Sequence, residues 1–132
     1  MEPHLKIIGF ILIALAILHV AFPKQFNWKA ELSPLSLINK QMMFVHTFFI
    51  ALTVMLMGMM CLFLSNDLIN TQFGRYISLG MFIFWGFRLV FQFLVYSPKL
   101  WKGKPFETMM HIIFSMIWVY LTVVFGMIFF SN

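Results

Sequence analysis

Apolar residues run along this chain in four long stretches, separated by three short links that hold most of the lysines. A bilayer core about 30 Å thick needs roughly 20 apolar residues in helical form. Each stretch supplies close to that number, so the pattern predicts helices over about 5–22, 34–65, 75–97 and 105–130. Strands are a poor alternative, because a single-chain barrel needs many segments of about ten alternating residues. The first stretch has no basic leader and no small-x-small site, so it is expected to be a retained span and not a cleaved signal.

The links carry the punctuation of helix ends. Pro23-Lys24 closes the first span, and Ser33-Pro34 offers an N-cap followed by proline at the first helical position. Ser97-Pro98-Lys99 ends the third span, and Pro105 with Glu107 opens the fourth, the acid facing the positive pole of the helix dipole. Trp28 and Trp101 are expected at the membrane–water boundary. Short links between long helices predict one all-α integral membrane domain over 1–132, with four transmembrane helices in an antiparallel up-down bundle. Gly9, Gly58, Gly80, Gly86 and Gly126 offer close packing and leave room for a homo-oligomer.

Composition narrows the class further. Charged residues make up 10% of the chain and apolar ones 62%, with 18 Phe and 12 Met. A water-soluble domain carries about 25% charged residues, so a soluble enzyme and a disordered tail are both excluded. The single cysteine, Cys61, removes an internal disulfide and CxxC chemistry. It also sets the chain apart from the disulfide-forming quinone reductases, and the lack of an acid within the first span sets it apart from small multidrug transporters. The net charge of +5 comes mainly from lysines beside the spans, which fits lipid headgroups better than nucleic acid. Lys24, Lys29, Lys40, Lys99, Lys102 and Lys104 lie in the first and third links, against Lys6 and Arg75 at the other side. That bias predicts cytoplasmic lysine-rich links and both termini outside. The expected location is a bacterial inner membrane.

Ionisable groups inside a span are costly and point to function. Here they are His19, His46, Arg88 and His111, with Gln92 and Glu107 close by. In the antiparallel topology the three imidazoles fall at one level, about 6–8 Å below the headgroups at 1.5 Å per residue. Arg88, Gln92 and Tyr96 are four apart, and Glu107, His111, Ser115, Trp118 and Thr122 follow at four, four, three and four, so each set shares a helix face. A purely structural reading stands beside this: polar side chains hold membrane bundles together at about 0.6 kcal/mol per bond. Arg88 weighs against it, because no acid lies at its depth within a span. The methionine-rich run from Met55 to Met60 is read as gap-filling.

Three chemistries follow. His19, His46 and His111, with Glu107 as ligand or orienter, are candidate ligands for zinc, iron or copper, the donor types that suit such metals. Two of the histidines on facing helices would instead suit haem b, lined by Phe44, Phe48, Phe91 and Trp118. The run His111-Ile112-Ile113-Phe114-Ser115-Met116-Ile117-Trp118 resembles, over eight residues, the His-x6-Trp helix of some membrane haem proteins. The third chemistry has no metal: Arg88, Gln92, Tyr96 and the histidines, with Trp118, are expected to form a pocket for a quinone or a lipid carboxylate or phosphate, alone or as a subunit of a larger membrane complex. A proton or ion pathway is the remaining class, with the histidines as relays. Of these, the expectation is a metal centre serving redox, lipid or quinone chemistry; no reaction is named by the residues.

Overall fold

In the computed structural model, which describes residues 1–131, the chain is helical, with no strand among the described residues. The elements are α1 (Glu2–Gln25), α2 (Trp28–Glu31), α3 (Leu37–Phe63), α4 (Ser65–Asn70), α5 (Gln72–Leu94) and α6 (Pro105–Phe130), with a 3₁₀ turn at Pro98–Leu100. Helices α1, α3, α5 and α6 are each long and apolar enough to cross a membrane. They point to a membrane protein.

The helix ends differ from the sequence expectation by a few residues, each for a local reason. Pro23 does not stop α1; it sits in the last turn, where its missing N–H deprives only the His19 carbonyl of a ladder bond. Helix α3 starts after Ser36, because Ser33-Pro34 is used up in a turn whose Ser33 hydroxyl donates to the Ala30 carbonyl. Helix α2 was not foreseen. It follows Asn27 at φ 53°, a left-handed conformation that asparagine tolerates. Helix α5 begins at Gln72, capped by the Thr71 hydroxyl, which accepts from the Gly74 N–H at 2.9 Å. It ends at Leu94, short of Tyr96, because Ser97 is extended ahead of Pro98.

The chain divides into two compact units, one covering Pro3–Ser65 and the other starting at Asn66. In the first, α1 and α3 form an antiparallel hairpin. The Lys6 ammonium donates to the Leu62 carbonyl at 2.8 Å, Gly9 faces Gly58, and Trp28 meets Phe44 edge-on with ring centroids 5.2 Å apart. The glycine pair sets the helix separation. A Cβ on Gly9 would lie 2.8 Å from the Gly58 carbonyl oxygen, and one on Gly58 would lie 2.8 Å from the Gly9 carbonyl oxygen. Only glycine at both positions lets the two backbones approach so closely.

In the second unit α5 and α6 form the matching hairpin. Arg75 donates to the Phe129 carbonyl, Phe82 covers Gly126, Trp85 stacks on Trp118 and Gln92 meets His111, an antiparallel register from end to end. At the entry to α5, a Cβ on Gly74 would meet the Asp67 carbonyl oxygen at 2.0 Å, so the turn from α4 requires glycine there. The seam has two characters. Leu121, Val124, Phe125 and Ile128 bury an apolar half far from the connecting link. Toward the link, polar and aromatic residues join the seam: Trp85, Arg88, Gln92, His111 and Trp118 are buried or half-buried there.

Candidate functional site

Met81, Trp85, Arg88 and Gln92 recur every three or four residues on α5, and His111, Ser115 and Trp118 do so on α6. Packing the two helices antiparallel brings these stripes together at the link end of the hairpin. Gln92 is the hub and is buried. Its Oε1 accepts from Arg88 Nη1 at 3.1 Å and from Trp118 Nε1 at 3.3 Å. Its Nε2 lies 2.8 Å from His111 Nδ1. Guanidinium and indole nitrogens can only donate, so two independent donors fix which end of the amide is oxygen. The NH₂ end therefore faces His111, and Nδ1 has to accept. The imidazole proton then sits on Nε2.

The Arg88 side chain runs toward the C-terminal end of α5. Its guanidinium carbon lies 4.9 Å from the Trp118 ring centroid and 5.3 Å from that of Tyr96, eight residues further on. This is snorkelling toward the link, and it carries the cation to the negative pole of the α5 dipole. Two aromatic faces and one amide oxygen hold the charge, each cation–π contact contributing about 0.5–2 kcal/mol. None of these partners is an anion.

Aromatic rings make the rest of the frame. Trp101 stacks on His111 with centroids 3.7 Å apart and planes 11° from parallel, and Phe93 meets the same imidazole edge-on at 5.6 Å. Trp85 stacks on Trp118 at 5.2 Å and 12°. The Trp85 ring is buried, and its Nε1 has no hydrogen-bond partner among the described residues. The Ser115 and Thr122 hydroxyls do not join the network; they donate to the His111 and Trp118 carbonyls of their own helix. Beside Arg88, Gly80, Ile83, Phe84, Phe87 and Phe91 form an open apolar face of α5.

The structure thus gathers Arg88, Gln92, Tyr96, His111 and Trp118 within one hairpin. Glu107 is exposed, one helical turn before His111, and takes no part in the network. His19 and His46 belong to the other unit. His46 is exposed on α3. His19 is half-buried, its ring 4.7 Å from that of Phe22, and its Nδ1 lies 2.7 Å from the Leu15 carbonyl oxygen. A carbonyl only accepts, so His19 carries its proton on Nδ1 and keeps a lone pair on Nε2. Ligating histidines usually have that arrangement, and the His111 network has the opposite one. Within neither unit do three His, Cys, Asp or Glu side chains come together among the described residues.

Trp85, Phe93 and Trp101 were not singled out as site residues. Trp85 was within reach of the spacing argument, three residues before Arg88 and seven before Gln92 on one face. Trp101 was not, because it comes from the link and is placed by a turn, where the Thr108 hydroxyl donates to its carbonyl.

Chemically, the arrangement is a fixed cation with imidazole and indole donors around it, next to an apolar helix face. It can hold an acceptor group at the end of an apolar molecule. No protein-family model matches the chain, and neither a curated protein nor a solved structure matches it.

Proposed function

We propose that this is an integral membrane protein whose four long helices cross the bilayer as one antiparallel bundle, lysine-rich links on the cytoplasmic side, and that its C-terminal hairpin binds the polar end of a membrane amphiphile without a metal. The ligand class is a lipid or quinone bearing a carbonyl or anionic group. One observation carries this reading: the Arg88 charge is held by an amide and two rings and is left uncompensated. Inside a span such a charge is expensive, and a ligand acceptor would complete it. The open apolar face of α5 beside Arg88 gives an apolar chain a surface to lie against near the guanidinium. Metal coordination by His19, His46, His111 and Glu107 is the weaker reading, because the Gln92 amide directs a donor at His111 Nδ1. Coordination through Nε2 would need a proton on Nδ1, opposing that donor. Haem ligation through His111 meets the same conflict.

The test is mass spectrometry of lipids and quinones that co-purify with the protein in mild detergent. Wild type is expected to retain one amphiphile class in stoichiometric amount, and Arg88→Leu to lose it while keeping its helical circular dichroism. Equal retention by the variant would refute the reading.

A further inference from the structure

The hydrogen-bonding capacity left over in this site is mostly of one kind. Gln92 Oε1 is saturated by two donors, and His111 Nδ1 is taken by the Gln92 amide. What remains is the Arg88 guanidinium, with only Nη1 engaged; the His111 Nε2–H and the buried Trp85 Nε1–H, neither with a partner among the described residues; and the Tyr96 hydroxyl, which both donates and accepts. A site with a fixed cation and a surplus of donors favours a ligand group that accepts and carries negative charge, and it repels cations.

Resting on the amphiphile reading above, we propose that the ligand is an acidic phospholipid, and that His111, held as the Nε2–H tautomer by Gln92, is a second donor to its phosphate beside Arg88. A phosphodiester accepts at several oxygens and neutralises the guanidinium, whereas a quinone carbonyl accepts but leaves the charge in place. Lys99, Lys102 and Lys104 lie in the link at the same end of the hairpin, where the rest of an acidic headgroup would sit. The open apolar face of α5 at Arg88 favours a lipid phosphate over free phosphate, which has no acyl chain to lay on it. Stacking of Trp101 on His111 holds the imidazole in place for this contact.

The experiment is native mass spectrometry of the full chain released from phosphatidylcholine nanodiscs that contain a few per cent phosphatidylglycerol, or ubiquinone in its place, with inorganic phosphate as competitor. Wild type is expected to retain phosphatidylglycerol selectively, unaffected by inorganic phosphate. Two variants isolate the imidazole donor. His111→Asn keeps an acceptor for Gln92 and removes the donor at the Nε2 position; His111→Gln replaces that donor. Asparagine should weaken phosphatidylglycerol retention roughly tenfold or more, the usual worth of a hydrogen bond to a charged group, and glutamine should recover most of it. Equal retention by wild type and His111→Asn overturns the donor role, and equal loss in both variants assigns His111 to stacking alone and overturns it as well. Retention of ubiquinone in place of phosphatidylglycerol, lost in Arg88→Leu, overturns the acidic-lipid assignment and leaves the amphiphile reading standing. Full retention of either by Arg88→Leu overturns both.

Discussion

His19 and His111 are half-buried histidines in two hairpins of similar build, and they have opposite hydrogen-bond polarity. His19 donates through Nδ1 to the carbonyl of its own helix, while His111 accepts through Nδ1 from a side chain on the neighbouring helix. The difference extends to the hairpins themselves. In the first, backbone proximity at Gly9 and Gly58 sets the seam; Lys6 reaches across one end to the Leu62 carbonyl, while Thr53 bonds within its own helix, to the Phe49 carbonyl. In the second, side chains cross the seam: Gln92 to His111, Trp118 to Gln92, Trp85 against Trp118. One hairpin is held mainly by close backbone packing. The other has a polar, aromatic end in which side chains bond and stack across the seam.

Substitutions sharpen that contrast, read as unfolding free energies of the full chain in detergent. The largest effect is expected at Trp118→Ala, about 4 kcal/mol, because the ring packs on Trp85 and Phe114, carries Arg88 and bonds Gln92. Gly58→Leu should follow at about 3 kcal/mol, since a side chain there drives α1 off α3. Gln92→Leu should cost about 2 kcal/mol through the donors it leaves unpaired. Thr53→Ala, whose hydroxyl bonds only its own helix, should stay within about 0.5 kcal/mol. If Thr53→Ala matched Gln92→Leu, the distinction between bonds within a helix and bonds across the seam would collapse. A double-mutant cycle gives a finer reading: Gln92 and His111 should couple by about 0.6 kcal/mol or more, the usual scale of interhelical bonds in membranes. His19 and Gln92 share no partner and should be additive.

Much of this was legible in the residues, and the limits are physical. Hydropathy located α1, α3, α5 and α6 because a span must be long and apolar whatever it packs against. The short helices α2 and α4 escaped because four and six residues carry no usable periodicity. Spacing of three and four placed Arg88 with Gln92 on one face and His111 with Trp118 on another. Depth alone, however, put His19, His46 and His111 in one layer, and depth carries no rotation about the helix axis. His46 is exposed on α3, a rotation that depth does not give. The tautomer of His111 was beyond any pattern, because it depends on which end of the Gln92 amide two donors from different helices select. Trp101 was read as a boundary marker, and its stacking on His111 depends on the turn that ends α5 early.

The opposed histidines are also the most direct place to test the account. Nitrogen-15 NMR of histidine-labelled protein in lipid nanodiscs, assigned with His19→Asn and His111→Asn, reports which ring nitrogen of each residue bears hydrogen. The account predicts a protonated Nε2 and bare Nδ1 at His111, with a protonated Nδ1 at His19, and no change at His111 on adding zinc. A bare Nε2 at His111, or zinc shifting its signals, would contradict the donor role of His111 and restore metal coordination as the better reading.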